Sequence, residues 1–495
     1  MRYVSTRDKN HQVSAAEAIV KGLSPDGGLF VPASIPVVGL DFFKTLLPMD
    51  YAGRAAAVFA LYLDEFSKEE LLDMARRSYG PDRFETGIAP VSPAYDGISF
   101  LELFHGPTSA FKDMALQILP RLLRMSLQEC GETRTVLILT ATSGDTGKAA
   151  LEGFCDVPGC KALVYYPKDG VSRTQELQMV TQKGDNVGVC AIAGNFDDAQ
   201  RGVKALFSDS VLADQMAQKG IVFSSANSIN WGRLLPQIAY YIAAYLDMAQ
   251  RGDLTLGDPL DVAVPTGNFG NILACYMAKR MGLPIGQIIC ASNQNDVLTD
   301  LIRTGIYDRK RPFYNTLSPS MDILVSSNWE RALYFLSGED DVLTRGCMDA
   351  LTAKGRYELP PEVRQTMQAQ FCGGCGNDGQ TRQTIAAYYQ KHGVLIDPHT
   401  AVACYAAGPY RTRTPLLVVS TASPFKFSGA VLSALGQTGD TPEQLSAATG
   451  LPIPKPLRDL DKRPIRFTQT VDPGDMERAV WQMVDPGDRE RAVLA

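Results

Sequence analysis

The sequence predicts an α/β fold with a parallel sheet flanked by helices, preceded by a mostly helical N-terminal region. The prediction depends on a pattern that occurs three times: a short apolar run, a Gly- or Ser-rich loop and a helix. The three apolar runs are residues 135–140 (TVLILT), 261–264 (DVAV) and 416–420 (LLVVS). The first two lead on to a further apolar run, which completes the βαβ unit of a parallel sheet. Because such sheets bind ligands beyond the carboxyl ends of their strands, the three loops are expected to meet in one crevice.

The segments around these units have other patterns. Apolar residues at helical spacing predict helices over Ala15–Leu23 and Leu61–Ser78. Residues 340–395 are polar and predict a helical excursion from the sheet. The tail holds a near-repeat, VDPGDMERAV at Val471–Val480 and VDPGDRERAV at Val484–Val493, to which we assign no chemistry.

A chain of 495 residues is too long for one simple core, so several domains are expected. The predicted division is a mostly helical N-terminal domain (1–92), a large α/β domain (93–118 and 225–445), a small α/β domain (119–224) and a C-terminal extension (446–495).

Composition and charge indicate a soluble cytoplasmic protein. A net charge of -6 without a Lys/Arg run argues against a nucleic-acid partner. The first ten residues lack the apolar core of a secretory signal, and the most apolar stretch, Ile238–Met248, is too short to cross a bilayer. Ten cysteines without framework spacing indicate reduced thiols. We therefore expect no membrane partner, and the sequence leaves monomer and homodimer both open.

The segment Leu101–Gln117 (LELFHGPTSAFKDMALQ) places a lysine at the predicted start of a helix. A strand-like run ends at Phe104 and the helix is expected to begin near Ser109, so that Lys112 lies in its first turn. The helix dipole and apolar neighbours both disfavour the ammonium form of Lys112. A neutral amine is what forms an imine with an aldehyde cofactor. A surface lysine at a helix start fits the same residues.

Residues 265–271 (PTGNFGN) follow a predicted strand and precede a helix. Gly267 and Gly270 would let backbone N–H groups approach a phosphate closely, and the helix dipole would favour the anion. The first glycine of the dinucleotide fingerprint is missing. A tight turn without a ligand fits these residues equally well.

Residues 142–147 (TSGDTG) superficially resemble a nucleotide-binding loop, but the spacing before Lys148 is too short. A nest of backbone amides with the hydroxyls of Ser143 and Thr146 would suit a small anion such as a carboxylate.

Residues 225–233 (SANSINWGR) predict a second anion-binding pair. If a helix starts after Ser228, Asn230 and Arg233 share one face and suit a phosphate ester. A helix cap followed by an exposed arginine is the alternative.

Other site classes are not supported by the sequence. HExxH, a His pair at metal spacing and the GxSxG nucleophile elbow are all missing. Cys372 and Cys375 form a lone CxxC in a Gly-rich stretch, which argues against a zinc site. No metal is expected.

Together these segments resemble the threonine synthases, specifically the longer subgroup of fungi and many bacteria. The resemblance extends from residue 3 to residue 401. In chain order, its motifs are YVSTR, SPDGGLFVP, ELFHGPTSAFKD, TSGDTG, NSINWGR, PTGNFGN and DPHTA. The resemblance implies the fold-type II architecture of pyridoxal-phosphate enzymes, shared with tryptophan synthase β chains. In that architecture Lys112 would bind pyridoxal 5'-phosphate as an imine and Thr421 would hydrogen-bond its pyridine nitrogen. The implied phosphate-binding residues are Gly267, Asn268, Phe269, Gly270 and Asn271.

The implied activity is that of a carbon–oxygen lyase acting on phosphates, which converts O-phospho-L-homoserine and water to L-threonine and phosphate. Lys112 would be the general base. The implied substrate-binding residues are Ser143, Thr146, Asn230 and Arg233. A phospho-lyase that releases a 2-oxo acid and ammonia would share the cofactor residues, so the motifs leave it open. A non-catalytic descendant is disfavoured, because Lys112 and Thr421 are intact.

The chain departs from the family pattern in two loops. The motif TAHPAKF is TASPFKF here, with Ser423 in place of histidine and Phe425 in place of alanine. Where the shorter synthases have SGNTS, this chain has Asp145 in place of the asparagine, which removes an amide partner for the cofactor's phenolic oxygen.

Overall fold

Two five-stranded sheets, each entirely parallel, organise the computed structural model, which describes residues 1–485. The strands are β1 (Tyr3–Ser5), β2 (Asp8–Val13), β3 (Phe30–Pro32), β4 (Ile98–Glu102), β5 (Thr135–Ala141), β6 (Cys160–Pro167), β7 (Val187–Ile192), β8 (Ile221–Ser224), β9 (Leu260–Pro265), β10 (Ile285–Ser292), β11 (Ile306–Asp308), β12 (Arg356–Glu358), β13 (Phe371–Cys375), β14 (Leu416–Ser420) and β15 (Thr470–Val471). The predicted parallel fold is confirmed.

Helices cover both sheets and form most of the N-terminal region. They are α1 (Ala15–Lys21), α2 (Leu40–Leu46), α3 (Tyr51–Phe59), α4 (Lys68–Ser78), α5 (Asp113–Leu116), α6 (Leu119–Glu129), α7 (Asp145–Phe154), α8 (Arg173–Val180), α9 (Phe196–Ser208), α10 (Ser210–Gln218), α11 (Trp231–Arg251), α12 (Gly270–Arg280), α13 (Val297–Thr304), α14 (Trp329–Leu336), α15 (Asp341–Lys354), α16 (Pro361–Gln370), α17 (Asp378–His392), α18 (Pro398–Ala407), α19 (Ser428–Ala434), α20 (Pro442–Thr449) and α21 (Met476–Val484). Among the described residues, no helix is long and apolar enough to span a membrane.

The large sheet has the strand order β13-β10-β9-β14-β4. Its strands are apolar runs because helices bury both faces, and every residue of β9 and β14 is buried. In the register of the sheet, Val418 of β14 lies between Phe100 of β4 and Ala263 of β9. The loops that follow β4, β14 and β9 therefore lie next to one another at the carboxyl edge.

The small sheet has the strand order β15-β7-β6-β5-β8. The loop after β5 leads into α7. The C-terminal extension adds β15 beside β7, with Val471 opposite Ile192. Met476 and Val480 of α21 are buried in the same apolar cluster as Leu163. The second copy of the tail repeat lies almost wholly outside the described residues. The four-part domain division stays a prediction.

The N-terminal region joins helices to a three-stranded antiparallel sheet of β1, β2 and β3. The helix predicted over Leu61–Ser78 is shorter, because Ser67 and Glu70 form a capping box that starts α4 at Lys68. The helices α2 and α3 lie within the region predicted to be mostly helical, although the sequence analysis did not assign them individually.

The polar segment 340–395 is not only an excursion, because it supplies β13, an edge strand of the large sheet. Cys372 pairs with Ile289 and Cys375 with Ser292 of β10. The lone CxxC therefore lies on a strand. All ten cysteines are free thiols.

Candidate active site

Lys112 lies between β4 and α5, beside the loop that follows β14. The two segments are joined by backbone hydrogen bonds, from Phe111 N to Thr421 O at 2.8 Å and from Ser423 N to Ser109 O at 3.1 Å. Ser109 has a φ of 57°, so the predicted helix does not begin there. Lys112 instead directly precedes the four-residue helix α5. The hydroxyl of Thr421 makes no side-chain hydrogen bond within residues 1–485.

A buried carboxyl holds the turn in front of Lys112. Asp113 accepts hydrogen bonds from Thr108 N and Thr108 Oγ1, both at 2.8 Å. Burial raises the pKa of Asp113 to about 7, against the lowering effect of the Thr108 hydrogen bonds. A Cβ on Gly106 would lie 2.5 Å from this carboxylate, so the HGPT turn needs glycine there.

The surroundings of Lys112 favour its neutral form. Its side chain is 12% exposed, and its Nζ lies 4.0 Å from Asp145 Oδ2. Burial lowers the pKa of Lys112 to about 8; Asp145 opposes this shift, and the cations Arg233 and Lys426 add to it. Of the two predicted causes, burial among apolar neighbours is the larger, whereas the helix dipole contributes little because α5 has only four residues.

Asp145, at the start of α7, is bound between two lysines. Its Oδ1 lies 2.6 Å from Lys426 Nζ and accepts a hydrogen bond from Gln175 Nε2 at 2.9 Å. Lys426 also donates to Thr108 O at 3.0 Å. Burial raises the pKa of Asp145, but Lys426 and Lys112 lower it well below its usual range. The position that holds asparagine in the shorter synthases thus holds an ionised carboxylate in this chain.

The predicted phosphate loop follows β9 and leads directly into α12. The residue with positive φ is Phe269, at 59°, and not either glycine. Gly267 is required for another reason, since a Cβ there would lie 2.8 Å from Ser320 O. Asn268 is exposed, and α12 begins at Gly270 without a side-chain cap. The first N–H groups of α12 are therefore available to an anion.

Asn271 belongs to the first turn of α12 and is buried. Its Oδ1 accepts a hydrogen bond from Tyr240 OH at 2.7 Å and another from Tyr241 OH. Its Nδ2 is buried without a partner in the described part of the chain. An orphaned donor at a helix N-terminus is what an anion site provides.

Ser143 and Thr146 are partly exposed next to Asp145, at the carboxyl end of β5. Their hydroxyls make no hydrogen bond that involves another described residue. Two amides of the predicted nest are already used, because Gly144 N and Gly147 N donate to Thr142 Oγ1 at 3.0 and 2.8 Å. The hydroxyls are available to a ligand, and part of the amide nest is not.

Asn230 is the N-cap of α11, and both ends of its amide are committed. Its Oδ1 accepts from Gly232 N at 2.8 Å, and its Nδ2 donates to Ile19 O at 2.9 Å. Arg233 is buried, in contrast to the alternative of an exposed arginine. Its Nη1 donates to Ala226 O at 2.8 Å, and its Nε has no partner within residues 1–485. Burial lowers the pKa of Arg233 to about 10.

The structure brings Lys112, Asp145 and Arg233 together, and adds residues that the sequence did not single out. Lys426 is the lysine of the TASPFKF motif, and its contact with Asp145 joins residues far apart in the chain. Gln175 has no sequence signal, since it reaches Asp145 from α8. No group of three or more His, Cys, Asp or Glu suited to a metal occurs in the described part of the chain.

A buried lysine of lowered pKa, an uncapped helix N-terminus and orphaned N–H donors fit a cofactor with an aldehyde and a phosphate. The fold and site thus define a pyridoxal-phosphate enzyme, and the family model described as "Pyridoxal-phosphate dependent enzyme" matches residues 96–353. Two further models, "Threonine synthase N terminus" and "Threonine synthase, C-terminal", match residues 2–79 and 400–480. The chain belongs to the threonine synthase family.

Known proteins similar to this chain agree with that assignment. Threonine synthase from Pseudomonas aeruginosa is 39% identical over 453 residues, covering 90% of this chain and 93% of its own. Human threonine synthase-like 1 is 39% identical over 448 residues, which are 88% of this chain; the chain spans only 60% of that relative's length. The crystal structure of PLP-bound threonine synthase from Brucella melitensis aligns with a TM-score of 0.88 at 34% identity, covering 98% of this chain and 99% of that one. The predicted family, fold and cofactor are confirmed.

Proposed function

We propose that this chain converts O-phospho-L-homoserine and water to L-threonine and phosphate, with pyridoxal 5'-phosphate bound to Lys112. The observation that carries the proposal is the placement of Lys112 beside a buried arginine, Arg233, that has no carboxylate partner in residues 1–485. A lysine of lowered pKa suits cofactor attachment, and an uncompensated guanidinium suits an anionic substrate.

The residues that would hold the cofactor lie on three adjacent loops. Lys112 would bind its aldehyde carbon, and Thr421 would meet its pyridine nitrogen. The loop of Gly267, Asn268, Phe269, Gly270 and Asn271 would hold its phosphate. When bound, the cofactor supplies an electron sink for charge that develops at the substrate's α carbon.

The chain's own groups then have distinct tasks. Lys112 would remove the α proton and carry a proton at Cβ, because its pKa lies near neutral pH. The phosphate leaves from Cγ and the water oxygen adds at Cβ, so phosphohomoserine and water balance threonine and phosphate. The low exposure of Lys112 supports a site from which bulk water is largely excluded.

The two anionic ends of the substrate need separate partners. Arg233 is our candidate for the phosphate, since its planar fork suits a phosphate ester and its Nε has no partner in the described part of the chain. Ser143 and Thr146 are candidates for the carboxylate, because their hydroxyls are available next to Lys112's neighbour Asp145. Asn230 we now assign to positioning, since its amide caps the helix that carries Arg233.

A cytoplasmic location accords with ten free thiols. The partner we propose is the small-molecule substrate.

The competing activity is a phospho-lyase that gives 2-oxobutyrate, ammonia and phosphate from the same substrate. The experiment is to incubate the purified holoenzyme with O-phospho-L-homoserine and to quantify threonine, 2-oxobutyrate and phosphate. We expect threonine and phosphate in equal amounts. Phosphate accompanied by an equal amount of 2-oxobutyrate would establish the lyase. Formation of none of the three products would refute both activities.

A further inference from the structure

The loop before α14 brings a buried amide to the N-terminus of α12. Asn328 directly precedes α14 and is completely buried. Its backbone N–H donates to Asn268 O at 3.1 Å, which joins this loop to the predicted phosphate loop. Its side chain makes no capping hydrogen bond to α14. Its Nδ2 would lie 3.4 Å from a Cβ on Gly270, so the amide is adjacent to the first turn of α12.

Arg331 determines which end of this amide faces the helix. Arg331 Nη1 donates to Asn328 Oδ1 at 2.5 Å. A guanidinium has only donors, so the amide oxygen must face Arg331 and the NH₂ group must point away from it. That Nδ2 is buried and has no partner among residues 1–485. Native proteins rarely leave a buried N–H group without an acceptor, which indicates that a ligand provides one.

Arg331 also brings buried positive charge, and no carboxylate among residues 1–485 forms an ion pair with it. Its remaining donors bind backbone oxygens, including Phe30 O at 2.9 Å and Ile229 O at 2.6 Å. The neighbouring Glu330 is paired with Arg7 at 2.8 Å. Burial lowers the pKa of Arg331 to about 9, with Glu330 opposing the shift. A buried cation whose direct partners in the described residues are neutral oxygens favours an anion close by.

The side chain of Asn271 provides a second buried amide at the N-terminus of α12. Asn271 is in the first turn of α12, and its oxygen is engaged by Tyr240 and Tyr241. Its Nδ2, like that of Asn328, is buried and unpartnered in the described residues. The first N–H groups of α12 thus have two amide donors beside them that lack a partner in the described chain. One of these amides, that of Asn328, is held by Arg331.

We propose that Asn328 Nδ2 donates a hydrogen bond to an oxygen of a phosphate monoester at the N-terminus of α12, and that Arg331 is its positioning residue. The proposal rests on the proposed function, in which the cofactor and the substrate are both phosphate monoesters. A donor that a cation holds in place, next to a helix N-terminus, suits a dianionic phosphate group.

The sharpest variant is Asn328→Asp. It keeps an oxygen for Arg331 and replaces the NH₂ donor by an acceptor that carries negative charge. Apo-protein is titrated with pyridoxal 5'-phosphate and with pyridoxal, which lacks the phosphate, and binding is followed by absorbance. If the cofactor's phosphate is the ligand, the dissociation constant for pyridoxal 5'-phosphate rises about 10- to 100-fold and that for pyridoxal does not change.

A second arm distinguishes the substrate as the source of the phosphate. The cofactor-loaded protein is titrated with O-phosphohomoserine and with homoserine, and the cofactor spectrum reports binding. If the substrate's phosphate is the ligand, only O-phosphohomoserine binds more weakly, and the two cofactor titrations match wild type. These arms measure binding, so they give the same result whether the product is threonine or 2-oxobutyrate.

Asn186→Asp is the matched control, because Asn186 Nδ2 donates to Phe154 O and Cys160 O at 2.8 and 2.9 Å next to the small sheet. The Asn186→Asp substitution can lower stability. The ratio of the affinities for pyridoxal 5'-phosphate and pyridoxal should not change. Asn328→Ala replaces Asn328→Asp if the latter does not fold, as judged by circular dichroism. The proposal is overturned if a folded Asn328 variant binds all four ligands as wild type does, or loses the phosphorylated and unphosphorylated ligands equally.

Discussion

Asp145 and Lys426 form a buried ion pair, 2.6 Å between Oδ1 and Nζ, directly beside the predicted cofactor lysine. The second oxygen of the same carboxylate lies 4.0 Å from Lys112 Nζ. Two lysines therefore share one carboxylate, and Lys426 occupies the closer position. This arrangement leaves Lys112 with a weak counter-ion, which assists loss of its proton.

The rate at which apo-protein incorporates pyridoxal 5'-phosphate should increase with pH around a midpoint near 8, not near the ordinary lysine value of 10.5. Below the midpoint Lys112 is an ammonium ion and cannot attack the aldehyde; above it the amine is neutral. Asp145→Asn should lower the midpoint, because the carboxylate stabilises the ammonium form. Lys426→Met should raise it, because a repelling cation is lost and Asp145 is left to Lys112. Stopped-flow absorbance at a series of pH values measures the midpoint.

Lys148→Met is the control for Lys426→Met. Lys148 is also buried, and its Nζ lies 2.9 Å from Glu152 on the same α7 helix. The Lys148→Met variant removes a lysine from an ion pair that does not include Asp145. The pH midpoint of cofactor incorporation should therefore stay at the wild-type value. A shift of equal size in both methionine variants would show that Lys426 does not act locally on Lys112.

The sequence predicts features of this site that depend on neighbouring residues better than contacts between residues far apart in the chain. Local patterns predicted the PTGNFGN loop and β14 closely, because apolar runs and Gly-rich turns depend on neighbouring residues. The helix next to Lys112 begins later than the predicted start near Ser109. The sequence predicted that burial lowers the Lys112 pKa, but not the charges that adjust it, since Asp145, Arg233 and Lys426 approach from three separate loops. Asn328 has no local signal, because its orphaned Nδ2 is evident only once Arg331 is seen to hold the oxygen. The sequence did not predict the β13 strand, because the glycines in it favour a loop.

Lys112→Ala should abolish both turnover and the visible absorption band of the lysine-bound cofactor. Lys112→Arg should do the same, because a guanidinium stays protonated and forms no imine. Borohydride reduction followed by peptide mass spectrometry locates the modified residue in wild type. A reducible lysine–cofactor bond in either variant would assign the cofactor to another lysine, with Lys426 the first to examine.

Gly267→Ala should weaken cofactor retention more than Gly270→Ala. The new Cβ at residue 267 would lie 2.8 Å from Ser320 O, a backbone atom that cannot rotate away. At residue 270 the nearest atom is Asn328 Nδ2 at 3.4 Å, an ordinary contact distance. Dialysis of the two holoproteins against buffer, with the remaining cofactor measured by absorbance, compares them. Equal retention in both variants and wild type would show that the loop is only a turn.

Substrate recognition is tested at Arg233. Its side chain is buried, its Nε has no partner among residues 1–485, and it is close enough to Lys112 to lower the pKa of that lysine. If Arg233 binds the substrate phosphate, Arg233→Ala should retain the cofactor's resting absorption band. The value of kcat/KM for O-phosphohomoserine should fall. The decrease should correspond to a loss of about 2–4 kcal/mol of transition-state stabilisation, as expected for a buried charged hydrogen bond. Arg233→Lys should recover little of this, since a point charge does not reproduce the bidentate fork. Homoserine is the control ligand, because it has the same amine and carboxylate without the phosphate, and its binding should be nearly unaffected. If homoserine and O-phosphohomoserine lose affinity equally, Arg233 holds the carboxylate or the loop at Ala226, and the phosphate assignment fails.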